Sequence, residues 1–220
     1  MKTYYGDREK CYKCFRPKSS CMCGYIKSIE TQTKFVILMH PKEFKKVKNN
    51  TGFFTHLSLE NSEVFIGIDF SEHRKINEII ATHESYILFP SEGALNLTTT
   101  KPQLSSKPLA IFLIDSTWAC AKKMFLSSTN LQNLKHMSFT TTKTSQYQIK
   151  VQPDAAYLST IESTLVVLEL LDKQGIERLE SSDLEGFLTP FFKMIEYQKA
   201  LIANPLSHAV RFKRHTSKKI

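Results

Sequence analysis

The sequence has no long hydrophobic run and no glycine-rich phosphate loop. Its longest purely apolar run, residues 109–114, is far shorter than the ~20 residues needed to span a bilayer, and residues 1–10 are polar and charged. We therefore expect no signal peptide, no membrane helix and a cytosolic location. Neither Gly-x-Gly-x-x-Gly nor Gly-Lys-Ser/Thr occurs, which disfavours nicotinamide and nucleoside triphosphate chemistry.

The composition describes a folded and basic chain. Its 220 residues suit one domain, or one domain with a small appendage, and 41% hydrophobic with 11% aromatic residues exclude wholesale disorder. Thirty Lys and Arg against 21 Asp and Glu give a net charge of +9. The excess lies at the ends, with twelve basic against five acidic residues in 1–60 and seven against three in 181–220. This pattern favours a polyanionic partner, either nucleic acid or anionic lipid.

Four of the five cysteines lie close together near the N-terminus, at Cys11, Cys14, Cys21 and Cys23. The Cys-x2-Cys spacing of the first pair presents two sulfurs to one tetrahedral ion, so we predict a structural zinc site in a module of residues 1–30. Two disulfides, free thiols or an iron–sulfur cluster are the less favoured alternatives. Cys120 stands apart, and we predict that it is a buried packing residue.

The rest of the chain has the pattern of an α/β domain over residues 31–205. Predicted strands at 35–39, 63–68, 85–89, 109–114 and 136–141 are separated by helix-like segments such as 72–81 and 118–126, which indicates a mostly parallel sheet with helices on both faces. Ser159 to Glu162 have the pattern of a capping box, which predicts a helix that begins there and ends at Gly175. A last helix is predicted from Thr189, as N-cap, to about residue 203. We predict a long loop at residues 98–107 and a flexible basic tail at residues 206–220.

The strand at 109–114 is apolar on both faces and delivers Asp115 at its carboxyl end, where ligands bind in open α/β sheets. Ser116, Thr117 and Trp118 follow directly. The residues alone leave two interpretations equally open: a ligand site, or an Asp N-cap with Trp118 in the core. Phe89, Pro90 and Ser91 follow one neighbouring strand, and Asn50, Thr51 and Gly52 lie beyond another, so we expect these segments to meet at the same edge. His40, which precedes Pro41, is read as part of a strand-ending turn.

Several motifs together resemble one known family. Asp115-Ser116-Thr117-Trp118 matches the D-x-T-W signature of the DTW-domain family, the tRNA-uridine aminocarboxypropyltransferases, which are related to SPOUT-class RNA methyltransferases. The resemblance spans about residues 11–172 in the right order. The remaining matches are the four cysteines, His40-Pro41-Lys42-Glu43, Asn50-Thr51-Gly52, Phe89-Pro90 and Leu158-Ser159-Thr160-Ile161-Glu162.

The resemblance implies a SPOUT-like fold, a class in which the chain can be knotted, and a specific reaction. That reaction transfers the 3-amino-3-carboxypropyl group of S-adenosylmethionine to N3 of a tRNA uridine and releases 5′-methylthioadenosine. Asp115 is the candidate base, with sulfonium stabilisation or uracil positioning as competing roles. The residues expected to hold S-adenosylmethionine are Thr51, Gly52, Phe89, Pro90, Ser91, Ser116, Thr117, Trp118, Leu158, Ser159, Thr160 and Glu162, the last of which has capping as its alternative role.

RNA contact is expected from basic side chains around the site and at the chain ends. Members of the family often carry an arginine pair before the proline that precedes L-S-T-x-E, whereas this chain has only Lys150 there. The expected contacts are Lys42, Lys45, Lys46, Lys48, Lys150, Arg211, Lys213 and Arg214, with Lys218, Lys219 and the basic residues of the cysteine module in addition. A SPOUT-like methyltransferase and a non-catalytic zinc-stapled RNA-binding protein are the alternative functions. We expect a monomer that has no membrane partner.

Overall fold

The computed structural model describes residues 9–45, 50–147 and 157–204. The strands are β1 Lys34–Met39, β2 Ser62–Ile66, β3 Glu84–Leu88, β4 Leu95–Asn96, β5 Leu109–Asp115 and β6 Lys135–Ser138. The helices are α1 Pro41–Lys45, α2 Gly52–Leu57, α3 Arg74–Thr82, α4 Trp118–Ser127, α5 Thr129–Gln132, α6 Thr160–Lys173, α7 Ser181–Gly186 and α8 Thr189–Ala203. Within these ranges, no helix is long and apolar enough to cross a bilayer.

The strands form one sheet in the order β2-β1-β5-β3-β6-β4, and the described strand pairs are all parallel. β5 lies inside the sheet between β1 and β3 and is buried along almost its whole length. This explains why its sequence is apolar on both faces. Parallel strands also place their carboxyl ends at one edge, where Met39 of β1 lies in register with Asp115 of β5.

Helices cover both faces of the sheet, and alternate strand residues pack into separate cores. Ile111 and Leu113 of β5 share one core with residues of α2, α6 and α8. Ala110 and Phe112 share the other with residues of α3, α4 and α5. The predicted α/β class with a mostly parallel sheet is therefore confirmed. The SPOUT likeness and a knotted chain stay predictions.

Most predicted elements are present with small shifts at their ends. The capping box at Ser159 opens α6, and Gly175 takes the left-handed conformation with φ +66° just beyond its last turn, as predicted. The predicted N-cap of α8 is wrong, because Leu188 holds that position and Thr189 is already helical. Cys120 is half-buried, so its predicted burial is only partial.

The cysteine module shares its packing with the sheet domain. Met22 and Ile29 are buried in the same core as β1 and β5, and Ile29 forms an isolated parallel bridge with Leu59. The boundaries proposed at residues 30 and 205 stay predictions. The tail from 206 onward lies outside the described residues.

Candidate active site and four-cysteine cluster

Asp115 closes β5 and lies at the centre of the candidate site, with only 5% of its surface exposed. Its backbone carbonyl accepts a hydrogen bond from the backbone N–H of His40, at 3.1 Å, which joins the ends of β1 and β5. The strand therefore fixes the position of the carboxylate through its backbone as well as through the buried side chains that precede it.

Two side chains from distant parts of the chain hold the Asp115 carboxylate. Asn50 Nδ2 donates to Oδ2 at 3.0 Å, and Thr160 Oγ1 donates to Oδ1 at 2.6 Å. The Asn50 side-chain carbonyl in turn accepts from the Phe53 backbone N–H at 2.8 Å, which anchors this amide at the start of α2. The segments that carry three of the sequence motifs therefore converge on one carboxylate. An ionised carboxylate is an acceptor that can take up a proton or face a cation.

Gly52 permits the close approach of α2 to Asp115. A Cβ atom at this position would lie 2.5 Å from Asp115 Oδ2 and 2.6 Å from its Cγ. Real Cβ contacts essentially never come this close, so a larger residue would displace the carboxylate or the helix. Glycine is thus required here by the geometry of the site.

A cavity of about 460 Å³ opens beside Asp115 at the carboxyl edge of the sheet. Its volume lies within the roughly 300–1,000 Å³ range of small-molecule sites. The walls combine apolar and aromatic side chains with hydroxyls and backbone from several strand ends. The lining residues are Glu43, Asn50, Thr51, Leu88, Phe89, Pro90, Leu113, Ile114, Asp115, Ser116, Thr117, Trp118, Ala121, Met137, Ser138, Phe139, Tyr147, Tyr157, Leu158, Ser159, Thr160 and Ser163.

Most of the residues expected to hold a ligand lie on this cavity. These are Thr51, Phe89, Pro90, Ser116, Thr117, Trp118, Leu158, Ser159 and Thr160. Gly52 stands behind the Asp115 carboxylate and is not among the lining residues. Ser91 also does not line the cavity; it is exposed and hydrogen-bonds His136.

Glu162 is buried, at 5% exposure, and does not line the cavity. Its Oε2 accepts from the backbone N–H and the hydroxyl of Ser159, at 2.8 and 2.6 Å, and from the Ser145 hydroxyl at 2.9 Å. Its Oε1 accepts from the Gln146 backbone N–H at 2.7 Å. The carboxylate therefore caps α6 and ties down residues 145–146, and this favours the structural role over ribose binding.

The interpretation of residues 115–118 as a helix cap with a core tryptophan is wrong. The N-cap of α4 is Thr117, two residues beyond Asp115. The side chain of Trp118 is 41% exposed at the cavity. Both observations leave the ligand-site interpretation of this segment standing.

The structure adds lining residues to which the sequence interpretation gave no role, among them Tyr147, Tyr157 and Glu43, of which only Glu43 belongs to a recognised motif. Tyr147 is 5% exposed, and its burial raises the pKa of the phenol well above its ordinary value. Neither tyrosine sits in a periodic or motif-like segment, so only the fold reveals its position. Asn50 was visible as the first residue of the N-T-G motif, but only the structure assigns it a hydrogen bond to Asp115.

The four clustered cysteines have the geometry of a metal site. Their sulfur atoms all lie within 4.8 Å of one another, and the Cys11–Cys23 and Cys14–Cys21 pairs are each separated by 3.7 Å. A tetrahedron with Zn–S bonds of about 2.3 Å has S–S edges of about 3.8 Å. Disulfide sulfurs lie about 2.05 Å apart; the described cysteines are all free, so the predicted cluster of four thiols is present.

Backbone N–H groups favour a thiolate at Cys11. Those of Cys14 and Lys13 lower the pKa of the Cys11 thiol to about 6, whereas burial raises the pKa of Cys14. The turn that presents these sulfurs is closed by bonds from the Cys11 N–H to the Arg16 carbonyl and from the Phe15 N–H to the Cys11 carbonyl, both at 2.8 Å. A lowered pKa favours the thiolate, which is the form of cysteine that binds metal.

The cysteine module contacts the helices that form the site. Phe15 packs against Phe44 of α1 and Phe53 of α2, with ring centroids 6.2 and 5.3 Å apart. Arg16 is only 2% exposed, and its guanidinium lies 4.7 Å from the centre of the Phe54 ring. The expectation that the basic residues of this module contact RNA is therefore wrong for Arg16, because it is buried.

Outside the cysteine module, two of the basic residues expected at an RNA surface are described. Lys42 and Lys45 are exposed on α1, the helix whose Glu43 lines the cavity. The others, namely Lys46, Lys48, Lys150, Arg211, Lys213, Arg214, Lys218 and Lys219, lie outside the described residues.

The fold and site define a class: an α/β protein with a ligand cavity at the carboxyl edge of a parallel sheet and a four-cysteine cluster packed beside it. Comparison of the sequence with protein families gives the family itself. The DTW domain matches residues 8–199. The chain belongs to the DTW-domain family.

Curated relatives share this sequence over most of its length. It is 31% and 32% identical, over 173 residues, to the proteins named tRNA-uridine aminocarboxypropyltransferase 2 of Macaca fascicularis and Mus musculus; each match covers 76% of this chain and 58% of the relative. The Drosophila melanogaster protein of the same name is 31% identical over 200 residues, covering 87% of this chain and 75% of the relative. The chain thus spans a little over half the length of the two mammalian relatives. No solved structure matches.

Proposed function

We propose that this protein transfers the 3-amino-3-carboxypropyl group of S-adenosylmethionine to N3 of a uridine in tRNA. The observation that carries the proposal is the buried Asp115 carboxylate, which Asn50 and Thr160 hold at the wall of the cavity. The names of the relatives supply the reaction class, and the cavity supplies a place for it. In the transfer, N3 forms a bond to the methionine γ-carbon while the C–S bond breaks. The electron pair of the broken C–S bond leaves on the sulfur of neutral 5′-methylthioadenosine, and the N3 proton passes to a base.

The residues around the cavity fit S-adenosylmethionine. When bound, this donor supplies a sulfonium centre whose neighbouring carbons are electrophilic. The Asp115 carboxylate favours a cationic ligand, and the apolar walls at Leu113 and Met137 suit an adenosyl group. Hydroxyls and backbone N–H groups for the polar parts of the donor come from Thr51, Ser116, Thr117, Leu158, Ser159 and Thr160, with Phe89 and Pro90 forming a further wall.

The main demand on these residues is orientation. The sulfonium has three electrophilic carbons, and only one must meet the nucleophile, so the cavity has to hold the donor in one pose. Asp115 serves as the base that accepts the N3 proton, and its burial keeps water away from the transfer. Asn50, Thr160 and Gly52 position that carboxylate.

The cysteine cluster and the basic side chains complete the proposal. One zinc ion bound by Cys11, Cys14, Cys21 and Cys23 stabilises the module that packs on α1 and α2 through Phe15. Its role is structural, because four protein ligands leave no open position on the metal. Lys42 and Lys45 are exposed on α1, the helix whose Glu43 lines the cavity, and they contact phosphates of the RNA.

Product analysis tests the proposal. The purified protein is incubated with unmodified tRNA and S-adenosylmethionine, and both the tRNA nucleosides and the spent donor are analysed by mass spectrometry. We expect aminocarboxypropyl-uridine together with 5′-methylthioadenosine. Methylated uridine with S-adenosylhomocysteine would replace this proposal by a methyltransferase, and an unchanged tRNA bound without turnover would replace it by a non-catalytic RNA-binding role.

A further inference from the structure

Trp118 and Tyr157 form an exposed aromatic pair at the mouth of the cavity. Their ring centroids lie 4.8 Å apart with an angle of 46° between the planes. Trp118 is 41% exposed and Tyr157 38%, whereas Asp115 and Tyr147 in the same cavity are each 5% exposed. The pair therefore belongs to the rim, and the carboxylate belongs to the interior.

Other aromatic side chains pack next to Trp118 and against one another. Phe89 lies 6.4 Å from Trp118 and stacks on Phe125 at 4.8 Å with nearly parallel rings. His136 packs edge-on against Phe125 at 5.3 Å. Trp118 is also the first residue of α4 and lies three residues beyond Asp115, the end of β5, so its backbone is held by the helix and by a short connection to the strand. A rigid aromatic surface of this kind loses little conformational entropy when a ligand covers it.

Packing within the described residues does not explain why this surface stays exposed. Single exposed aromatic residues are ordinary, but two adjoining rings at the entrance of a cavity form a patch of the kind that marks a binding site. In a chain of net charge +9, exposed aromatic rings favour the planar bases of an unpaired polynucleotide. Lys122 lies one helical turn beyond Trp118 on α4 and is exposed, which places a cation beside the pair for a flanking phosphate.

We propose that Trp118 and Tyr157 form the stacking site for the target base of the RNA, while the donor occupies the deeper part of the cavity beside Asp115. The proposal rests on the proposed function, in which N3 of uridine is the nucleophile. N3 lies on the Watson–Crick edge, so the base must be unpaired and withdrawn from its helix before it reacts. An aromatic pair replaces the stacking that the base loses. This assigns Trp118 to the RNA rather than to the donor, to which the family resemblance assigned it.

The single tryptophan of the chain makes the pair directly observable. The intact, metal-loaded protein is titrated with a short single-stranded RNA that carries one central uridine, and the fluorescence of Trp118 is followed. The control RNA has the same length and charge but an abasic central position. We expect the uridine RNA to quench the fluorescence and to bind about tenfold more tightly than the abasic RNA. Equal affinities and equal quenching would overturn the proposal.

Variants show which ligand the pair holds. Binding of labelled RNA is measured by anisotropy, and binding of S-adenosylhomocysteine by calorimetry. We expect Trp118→Ala and Tyr157→Ala each to weaken uridine RNA binding about tenfold and to leave S-adenosylhomocysteine affinity unchanged, with Trp118→Phe and Tyr157→Phe close to native. Phe192→Ala is the matched control, because Phe192 is 42% exposed on α8 and does not line the cavity. Weakened S-adenosylhomocysteine binding with native RNA binding would assign the pair to the donor and overturn the proposal.

These binding measurements are independent of turnover, so they separate this proposal from the proposed function. If tRNA remains unmodified while the uridine RNA still binds through Trp118 and Tyr157, the proposed reaction fails and the stacking site stands. If aminocarboxypropyl-uridine forms but both alanine variants bind RNA like the native protein, the reaction stands and the stacking site is refuted.

Discussion

Replacing Gly52 by alanine is the sharpest perturbation of the site that leaves every polar group in place. The added Cβ would lie 2.5 Å from Asp115 Oδ2, whereas ordinary contacts begin at 3.4 Å, so the carboxylate or α2 must move by about 0.9 Å. A shift of this size stretches the 3.0 Å bond between Asn50 and Asp115 beyond hydrogen-bond length. Misplacement of a reacting group by about 1 Å can cost about a hundredfold in rate. We therefore expect Gly52→Ala to lower kcat about a hundredfold.

The stability change should be small by comparison. Alanine gains up to about 1 kcal/mol over glycine in a helix, and the weakened charge-assisted bond costs about 1.5–3 kcal/mol, so the net loss is about 1 kcal/mol. Urea unfolding measures the stability, and the rate of aminocarboxypropyl transfer at saturating donor and tRNA measures kcat. Gly186→Ala is the matched control, because a Cβ there meets nothing within 4 Å. A native kcat for Gly52→Ala would refute the positioning role of α2.

Two further predictions concern groups away from the cavity. Cys14→Ser should reduce bound zinc from one ion per chain to almost none, measured by plasma emission, and should expose the module to limited proteolysis; full zinc content with native protease resistance would contradict the four-thiolate site. In Glu162→Gln, an amide NH₂ group replaces one carboxylate oxygen and faces backbone N–H groups, so two donors meet. We therefore expect the free energy of unfolding, measured in urea, to fall by about 3 kcal/mol. Any fall in S-adenosylhomocysteine affinity should be no larger than the unfolded fraction of the variant accounts for. A stably folded Glu162→Gln protein that no longer binds S-adenosylhomocysteine would instead support ribose binding by Glu162.

The sheet and the main catalytic candidate could be predicted because their sequence signals are local. Residues of β5 are apolar on both faces since both faces are covered, and Asp115 stands out as the acid at the carboxyl end of that strand, although the residues alone left a helix cap equally open. The capping box of α6 is also local, since Ser159 and Glu162 lie three residues apart and bond each other. Signals of this kind can be recognised in the sequence without knowledge of the tertiary structure.

The features that were missed depend on tertiary contacts. α2 spans only six residues, too few to show helical periodicity, and it is held by the hydrogen bond from the Phe53 N–H to the Asn50 side chain and by buried Phe54. β4 is two residues long and is defined by its pairing with β6. Tyr157 reaches the cavity only because α6 returns to the end of β5. Thr189 resembles an N-cap in sequence, yet the helix begins at that residue because Leu188 takes the flanking position.

The central claim is that the Asp115 carboxylate accepts the N3 proton during the transfer, and Asp115→Asn tests it most directly. Donor affinity is measured by calorimetry with S-adenosylhomocysteine, and transfer to tRNA is measured by nucleoside mass spectrometry. Because asparagine at 115 would face the Asn50 amide nitrogen, the control Asn50→Asp/Asp115→Asn restores the hydrogen-bonded pair and displaces the carboxylate. We expect both proteins to keep their affinity for S-adenosylhomocysteine, which has no sulfonium charge, and to lose transfer by at least about a hundredfold. Native transfer by Asp115→Asn would contradict the account.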